Sequence, residues 1–359
     1  MKRQHAFLFP LHNEELVISN TLVSLIKAGV VWEDIYFVDD GSTDKTIDVL
    51  TQASFPYLSI NNILCLQPNV GKTQALVTAF KHFKLAEKYE WLNTCDGDTL
   101  IAENYMQKLI PILNDAPKST AAIASRVCSV RDSWNAYTSY RTYEYALMQH
   151  TYKRAQGHIN CVTVLPGCGT TIRTEVFQKL SENVRPEVLT EDFLWTARIH
   201  MEGLGRILYA HSLRVFTQDP DRFSSYWKQN TRWFEGGWQV YREQKMWQVF
   251  KNKINMETSF LFGEGLFFSI LFLFAIAAAL LKVFPFFVHW FFLFDVAIFL
   301  ALTLFFAIME LDIRQLFWIP FFYFLRIVKC VIFLNSFIRI ILLKRDKKIA
   351  LKWNKVERY

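Results

Sequence analysis

A chain of 359 residues, 52% hydrophobic and 20% charged, is too apolar for a disordered tail and too long and cysteine-poor for a disulfide-stapled mini-domain. Its net charge of +7 is uneven: between Lys344 and Tyr359 seven Lys or Arg face two acids, and the +2 left for everything before is too small for a nucleic-acid footprint. Six scattered cysteines form no C-x-x-C pair and no His pair stands at ligand spacing, so structural zinc is not expected and reduced thiols are.

The N-terminal MKRQHAFLFPLHNEE has an apolar stretch of only Ala6 to Leu11, too short for a signal peptide or a span, so the domain that follows is expected in the cytoplasm. Short apolar runs then alternate with helical patterns. Strands are expected at 6–10, 35–39, 62–66, 90–94 and 120–127, giving an α/β fold with a mostly parallel sheet flanked by helices. Ile18, Leu22, Leu25 and Ile26 share a helix face, with Asn13 as the expected cap and Gly29 after the end; Ala75, Leu76, Ala79, Phe80 and Phe83 repeat the pattern over 72–84.

Residues 131–157 read as an aromatic-rich helix. CVTVLPGCGTTIRTEVF reads as strand, turn and helix, and a second short set runs from LTEDFLW to the strand-like RILYA. From about Arg222 to Val249 a Trp-rich helix suits a membrane interface. Two spans follow, about 260–283 and 286–309, each exceeding the roughly 20 residues that cross a bilayer core. Asp295 lies inside the second span, with Lys282 or His289 as the expected partner. Segment 316–343 carries Arg326, Lys329 and Arg339, and is expected to lie along or dip into the cytoplasmic interface. The basic tail 344–359 then faces the anionic leaflet.

The polar residues cluster where ligands bind in such sheets, at the carboxyl ends of strands: His12, Asn13 and Glu14; Asp39 and Asp40; Asp96 and Asp98. D-G-D at 96–98 can offer hard oxygens to Mg2+ or Mn2+, which would bridge to phosphates. Ordinary turn acids would look the same in any one of these loops. G-K-T at 71–73 is no Walker A motif, since Leu66 stands where that motif needs glycine, yet Lys72 at a helix start can still hold a phosphate.

Seven segments in order, FPLHNEE (9–15), VDDGSTD (38–44), NVGKTQAL (69–76), DGD (96–98), PGCGTTIR (166–173), TED (190–192) and QNTRW (229–233), give the chain its resemblance to family 2 glycosyltransferases. It most resembles their membrane-integrated branch of hyaluronan, chitin, cellulose and poly-N-acetylglucosamine synthases. The resemblance implies a GT-A domain at 1–221, an interfacial region at 222–258, a membrane region at 259–343 and the tail. It implies an inverting, metal-dependent enzyme that takes a UDP-sugar donor to a glycan or lipid acceptor. His12, Glu14, Asp39, Asp40, Lys72, Asp96, Gln229 and Arg232 would bind the nucleotide sugar. Asp98, with Asp96, would hold the metal, and Asp192 would be the base. Gly167, Cys168, Gly169 and Trp233 would line the acceptor site. An enzyme of the bacterial inner membrane is expected, in contact with membrane lipid, with a homo-oligomer or export partner if the product is a polymer. A catalytically silent nucleotide-sugar-binding subunit is the non-enzyme alternative.

Overall fold

The computed structural model describes residues 2–54, 59–130, 135–185 and 188–345, so the basic tail lies almost wholly outside the described residues. The chain forms two compact units, one from residues 1–130 and 151–218 and the other from 131–150 and 219–348.

The first unit is built on an eight-stranded sheet: β1 Arg3–Leu11, β2 Ile35–Asp40, β3 Ile63–Leu66, β4 Tyr89–Thr94, β5 Leu100–Ile101, β6 Thr120–Ser129, β7 Thr170–Arg173 and β8 Arg206–Thr217. Their order is β3-β2-β1-β4-β7-β6-β8-β5. The half from β3 to β4 is parallel as expected, with Leu8 of β1 opposite Tyr36 and Thr94. Beyond it the sheet is mixed, because β7 runs antiparallel between β4 and β6 and β5 is antiparallel to β8. This departure from a mostly parallel sheet has a geometric consequence. An antiparallel strand begins where its neighbour ends, and Thr94 pairs with Thr170. The turn entering β7 is therefore set beside the turn leaving β4.

Ala6, Phe7, Leu8, Phe9 and Leu11 of β1 are fully inaccessible, the continuous apolar run of a strand covered on both faces. Helix Lys72–His82 buries Ala75, Leu76, Ala79 and Phe80 of its predicted face, and helix Ile18–Lys27 buries Ile18, Leu22 and Leu25 but leaves Ile26, expected on the same face, 50% exposed. Asn13 does not cap the latter helix. It adopts a positive φ of 56° and its side-chain oxygen accepts the Thr43 N–H at 2.8 Å, so it braces the loop after β2. The first helical N–H groups reach the Glu14 carbonyl instead.

The second unit is helical: Ala136–Leu147, Phe223–Glu243, Lys253–Leu280, Pro285–Met309, Arg314–Phe317 and Ile319–Phe337. Asn135 and Asn252 cap the first and third through side-chain oxygens that accept the Tyr137 and Asn255 N–H groups. Tyr140, Tyr143, Tyr226, Phe299, Phe306 and Phe322 form an aromatic core. Helices Lys253–Leu280 and Pro285–Met309 have mean hydropathies of 2.2 and 2.6 and are long and apolar enough to cross a membrane. Only 17% and 22% of their apolar windows are buried by protein, unlike the core helix of a water-soluble domain.

Asp295 pairs with neither Lys282 nor His289. Its carboxylate receives Arg326 at 2.6 and 2.9 Å and the Tyr323 hydroxyl at 3.0 Å. Phe268, Phe272 and Phe299 surround the guanidinium with centroids 4.7 to 5.4 Å from its carbon. The other two cations of the 316–343 segment are paired as well, Lys329 with Glu144 and Arg339 with Glu235. A bidentate, nearly buried pair leaves an uncompensated charge when one partner is removed, at a cost of about 3 to 5 kcal/mol. Asp295→Ala should therefore lower the thermal unfolding midpoint in detergent by several degrees, and Asp295→Ala with Arg326→Met should recover most of it. A single variant as stable as the wild type would show that this pair does not lock the helices.

Candidate active site

Three loops at the carboxyl edge of the parallel strands are tied together by backbone-directed bonds. Asp40, fully buried at the end of β2, accepts the Val70 and Gly71 N–H groups at 2.7 and 2.8 Å. Burial raises its carboxyl above the usual range, against these two bonds. Gly71 sits at φ +87°, a conformation open to glycine, and thereby turns its N–H toward Asp40 as helix Lys72–His82 begins. His12 Nδ1 lies 2.9 Å from the Asp40 carbonyl oxygen, to which it donates, and Asn69 donates to the same oxygen at 2.8 Å. Asp39 accepts the Ser42 N–H at 3.1 Å and the Ser42 hydroxyl. Glu14 is buried against the turn at Gly97, and its N–H donates to Thr46 Oγ1 at 2.7 Å.

The Asp40 carboxylate is thus engaged in loop architecture, a use that spacing alone does not reveal.

Beside them lies a compact cluster of charge. Lys72 Nζ is 2.7 Å from Asp96 and 2.8 Å from Glu191, bridging the turn after β4 to the start of helix Glu191–Met201. Burial works against the ammonium charge, but the two carboxylates outweigh it and hold the proton above the ordinary lysine range. Gly167, in the turn before β7, lies directly over this ion pair. A Cβ there would come within 2.9 Å of Lys72 Nζ and 3.5 Å of Asp192 Oδ2, so the backbone approaches as it does because there is no side chain. Cys168 in the same turn is buried, which pushes its thiol well above the usual range, with Asp96 and Asp98 adding to the effect. Gly169 closes the turn by donating its N–H to the Pro166 carbonyl at 3.0 Å.

Asp192 accepts the Phe193 N–H at 2.8 Å in the first turn of its helix. Burial first, and the neighbouring Glu191 charge second, push its carboxyl up to about 6, against the opposing pull of Lys72. Buried Lys153 is lowered to about 8 by desolvation, with Asp192 opposing; its ammonium donates to the Val164 carbonyl. Neither the inward turn of Glu191 onto Lys72 nor the presence of Lys153 follows from sequence. Helix starts carry acids for capping alone, and Lys153 belongs to no motif. A small cavity of about 20 Å³ sits under Lys72, Gly167, Glu191 and Asp192.

Asp98 is buried, and its carboxylate accepts the Thr217 hydroxyl at 3.3 Å. Among the described residues no three His, Cys, Asp or Glu side chains gather at ligand distance. The donor set here is a two-carboxylate turn, which suits a hard cation that keeps waters and takes its remaining ligands from phosphate oxygens.

In the second unit, Gln229, Arg232 and Trp233 share helix Phe223–Glu243. Gln229 accepts from Arg141 at 2.8 Å, and the Arg141 guanidinium carbon lies 4.7 Å from the Trp233 ring centroid. Among the described residues no hydrogen bond or ion pair occupies Arg232, which is partly exposed.

The model of the family described as glycosyltransferase like family 2 matches residues 5–236, more than half of the chain and all seven motif segments. The chain belongs to glycosyltransferase family 2. This glycosyltransferase is 25% identical over 237 residues to the poly-beta-1,6-N-acetyl-D-glucosamine synthase of Staphylococcus aureus, covering 65% of this chain and 54% of the relative. It is 24% identical over 248 residues to the synthase of the same name from Staphylococcus epidermidis, covering 69% and 58%. The glycosyltransferase therefore spans little more than half the length of these relatives. The solved mannosyltransferase PcManGT of Pyrobaculum calidifontis, in complex with GDP-Man and Mn2+, shares the fold with a TM-score of 0.57 at 16% identity, over 93% of this chain and 88% of that one. The mixed sheet flanked by helices is of the GT-A type, and apolar helices follow it.

If Asp192 is the proton acceptor that the family resemblance implies, it works only when deprotonated, and a carboxyl near 6 would make activity fall as pH drops through that value. Because Glu191 raises Asp192, Glu191→Gln should move the acidic limb of the pH–rate profile to lower pH. A limb that stays in place, measured on kcat/KM, would show that the two carboxylates are not coupled in the working enzyme.

Proposed function

We propose that this glycosyltransferase moves a sugar from a UDP-sugar to a membrane-associated acceptor by a single, inverting displacement at the cytoplasmic face. The observation that carries the reading is the Lys72 bridge, which sets the D-G-D turn, the P-G-C-G turn and Asp192 of T-E-D around one charged centre.

In this reading Asp192 takes the proton of the acceptor hydroxyl as its oxygen attacks the anomeric carbon. Its burial beside Glu191 holds the carboxyl near 6, basic enough to accept a proton and ionised at neutral pH. Lys72 keeps the acids around the donor from repelling one another and offers charge to the diphosphate. Asp98, with Asp96, would hold Mg2+ or Mn2+, which when bound supplies positive charge to the nucleotide phosphates. Arg232 meets the same developing charge with a planar fork that stays protonated. His12, Glu14, Asp39 and Asp40 shape the nucleotide end, and Gln229 contributes from its helix. Gly167, Cys168 and Gly169 take the acceptor role in the first unit, and Trp233 is the residue of the second unit that the family resemblance assigns to the acceptor.

The two apolar helices anchor the enzyme in the membrane, as in a bacterial inner membrane, with the basic tail against the anionic leaflet. Transfer of single sugars to a lipid is the second reading; two such helices among the described residues are few for a polymer channel, so a chain-extending enzyme would need a second copy or an export partner.

The deciding experiment uses purified full-length protein with Mn2+ and a panel of radiolabelled UDP-sugars. Wild type should transfer or hydrolyse one of them. Asp192→Asn should lower turnover at least a hundredfold while UDP binding stays within about threefold of wild type, since only the proton acceptor is lost. An Asp192→Asn variant that turns over normally would remove the base assignment. A wild type that binds nucleotide and transfers nothing would favour the silent binding subunit.

A further inference from the structure

The Q-x-x-R-W turn is held by a residue that no motif contains. Gln229 and Trp233 stand one helical turn apart on the same face of helix Phe223–Glu243, and both face Arg141 of helix Ala136–Leu147. The Arg141 side chain is 3% exposed. One guanidinium nitrogen donates to Gln229 Oε1 at 2.8 Å, another to Glu144 at 2.8 Å, and Nε lies 3.8 Å from Asp219. The plane also lies over two rings of the same helix, 4.7 Å from the Trp233 centroid and 5.3 Å from that of Tyr226. Glu144 in turn receives Lys329, so two cations and two acids balance within the cluster. Arg232, next in line on that turn, has no such anchor.

We propose that Arg141 is a positioning residue for the Q-x-x-R-W turn: it fixes Gln229 and Trp233, and so steadies the backbone that carries Arg232, a side chain without an ion pair or hydrogen bond among the described residues, for its role toward the leaving diphosphate. The guanidinium suits this task because one rigid plane can donate to Gln229 and Glu144 while stacking on indole. A lysine ammonium can satisfy the acid but cannot also span the amide and cover the ring. Arg141 itself is buried against Gln229 and Trp233, so its role is exerted through the turn that carries them. This inference rests on the assignment of Arg232 to the leaving group. An interaction made as charge develops acts on kcat, whereas one made equally to bound donor acts on KM.

The test compares wild type, Arg141→Lys and Arg141→Gln as full-length proteins in detergent, all with Mn2+ and UDP-GlcNAc as the donor probe. UDP release gives kcat and KM, and hydrogen–deuterium exchange is followed over residues 226–236 and, as a reference, over 260–280. Arg141→Gln should lower kcat at least tenfold with KM for UDP-GlcNAc within twofold. Arg141→Lys should recover part of that loss. Exchange over 226–236 should rise at least threefold in both, with the reference helix unchanged. Wild-type kcat and exchange in both variants would overturn the proposal, as would a loss falling on KM and kcat alike. If Arg141→Gln does not fold, Arg141→Lys decides by the same criteria, since it keeps the buried charge. A wild type silent toward UDP-GlcNAc would count against the donor reading, while exchange at 226–236 would still support or refute the positioning role.

Discussion

The charged centre of the first unit depends on one largely covered cation, Lys72. Three carboxylates, those of Asp96, Glu191 and Asp192, gather near the edge of the sheet, and without an opposite charge they would repel one another and force protonation. Lys72 meets two of them at hydrogen-bonding distance. It thereby joins three stretches of chain far apart in sequence: a helix start, the turn after β4 and the start of the T-E-D helix. Burial first, and the Glu191 charge second, raise the Asp192 carboxyl to about 6 against the pull of Lys72. The packing that holds these groups together is therefore also what sets the Asp192 carboxyl near neutrality.

The antiparallel insertion of β7 is the second constraint. In a sheet that stayed parallel, the P-G-C-G turn would enter at the opposite edge. With Thr170 opposite Thr94 it lies beside the D-G-D turn, and the bare backbone of Gly167 can cover Lys72. Fold and chemistry meet here, since strand direction decides which loops share an edge and side-chain size decides how closely they approach.

The parallel half of the sheet and its covering helices were legible in sequence, because a strand buried on both faces reads as an unbroken apolar run and its helices keep a 3.6-residue period. The acids at the strand ends and the seven motifs were legible for the same reason: they are local patterns. What was hidden depends on pairings across long separations. Asp295 finds Arg326 on another helix and not a neighbour on its own turn. Asn13 reaches across to Thr43 and does not cap the adjacent helix. Glu191 turns onto Lys72, and Arg141, in a stretch read only as aromatic, grips the Q-x-x-R-W helix. Composition announces that such charges exist, but only a folded backbone assigns their partners.

In the proposed reaction the Lys72 centre surrounds the reacting end of a nucleotide sugar. The most direct measurement is an experimental structure of the full chain with a non-hydrolysable phosphonate analogue of UDP-GlcNAc and Mn2+, in which anomalous scattering locates the metal. The diphosphate mimic is predicted over the Asp96–Asp98 turn, with manganese at Asp98 and the anomeric carbon facing Asp192 from the side opposite the phosphonate. Analogue bound away from Lys72, or Asp192 on the same side as the leaving group, would contradict it.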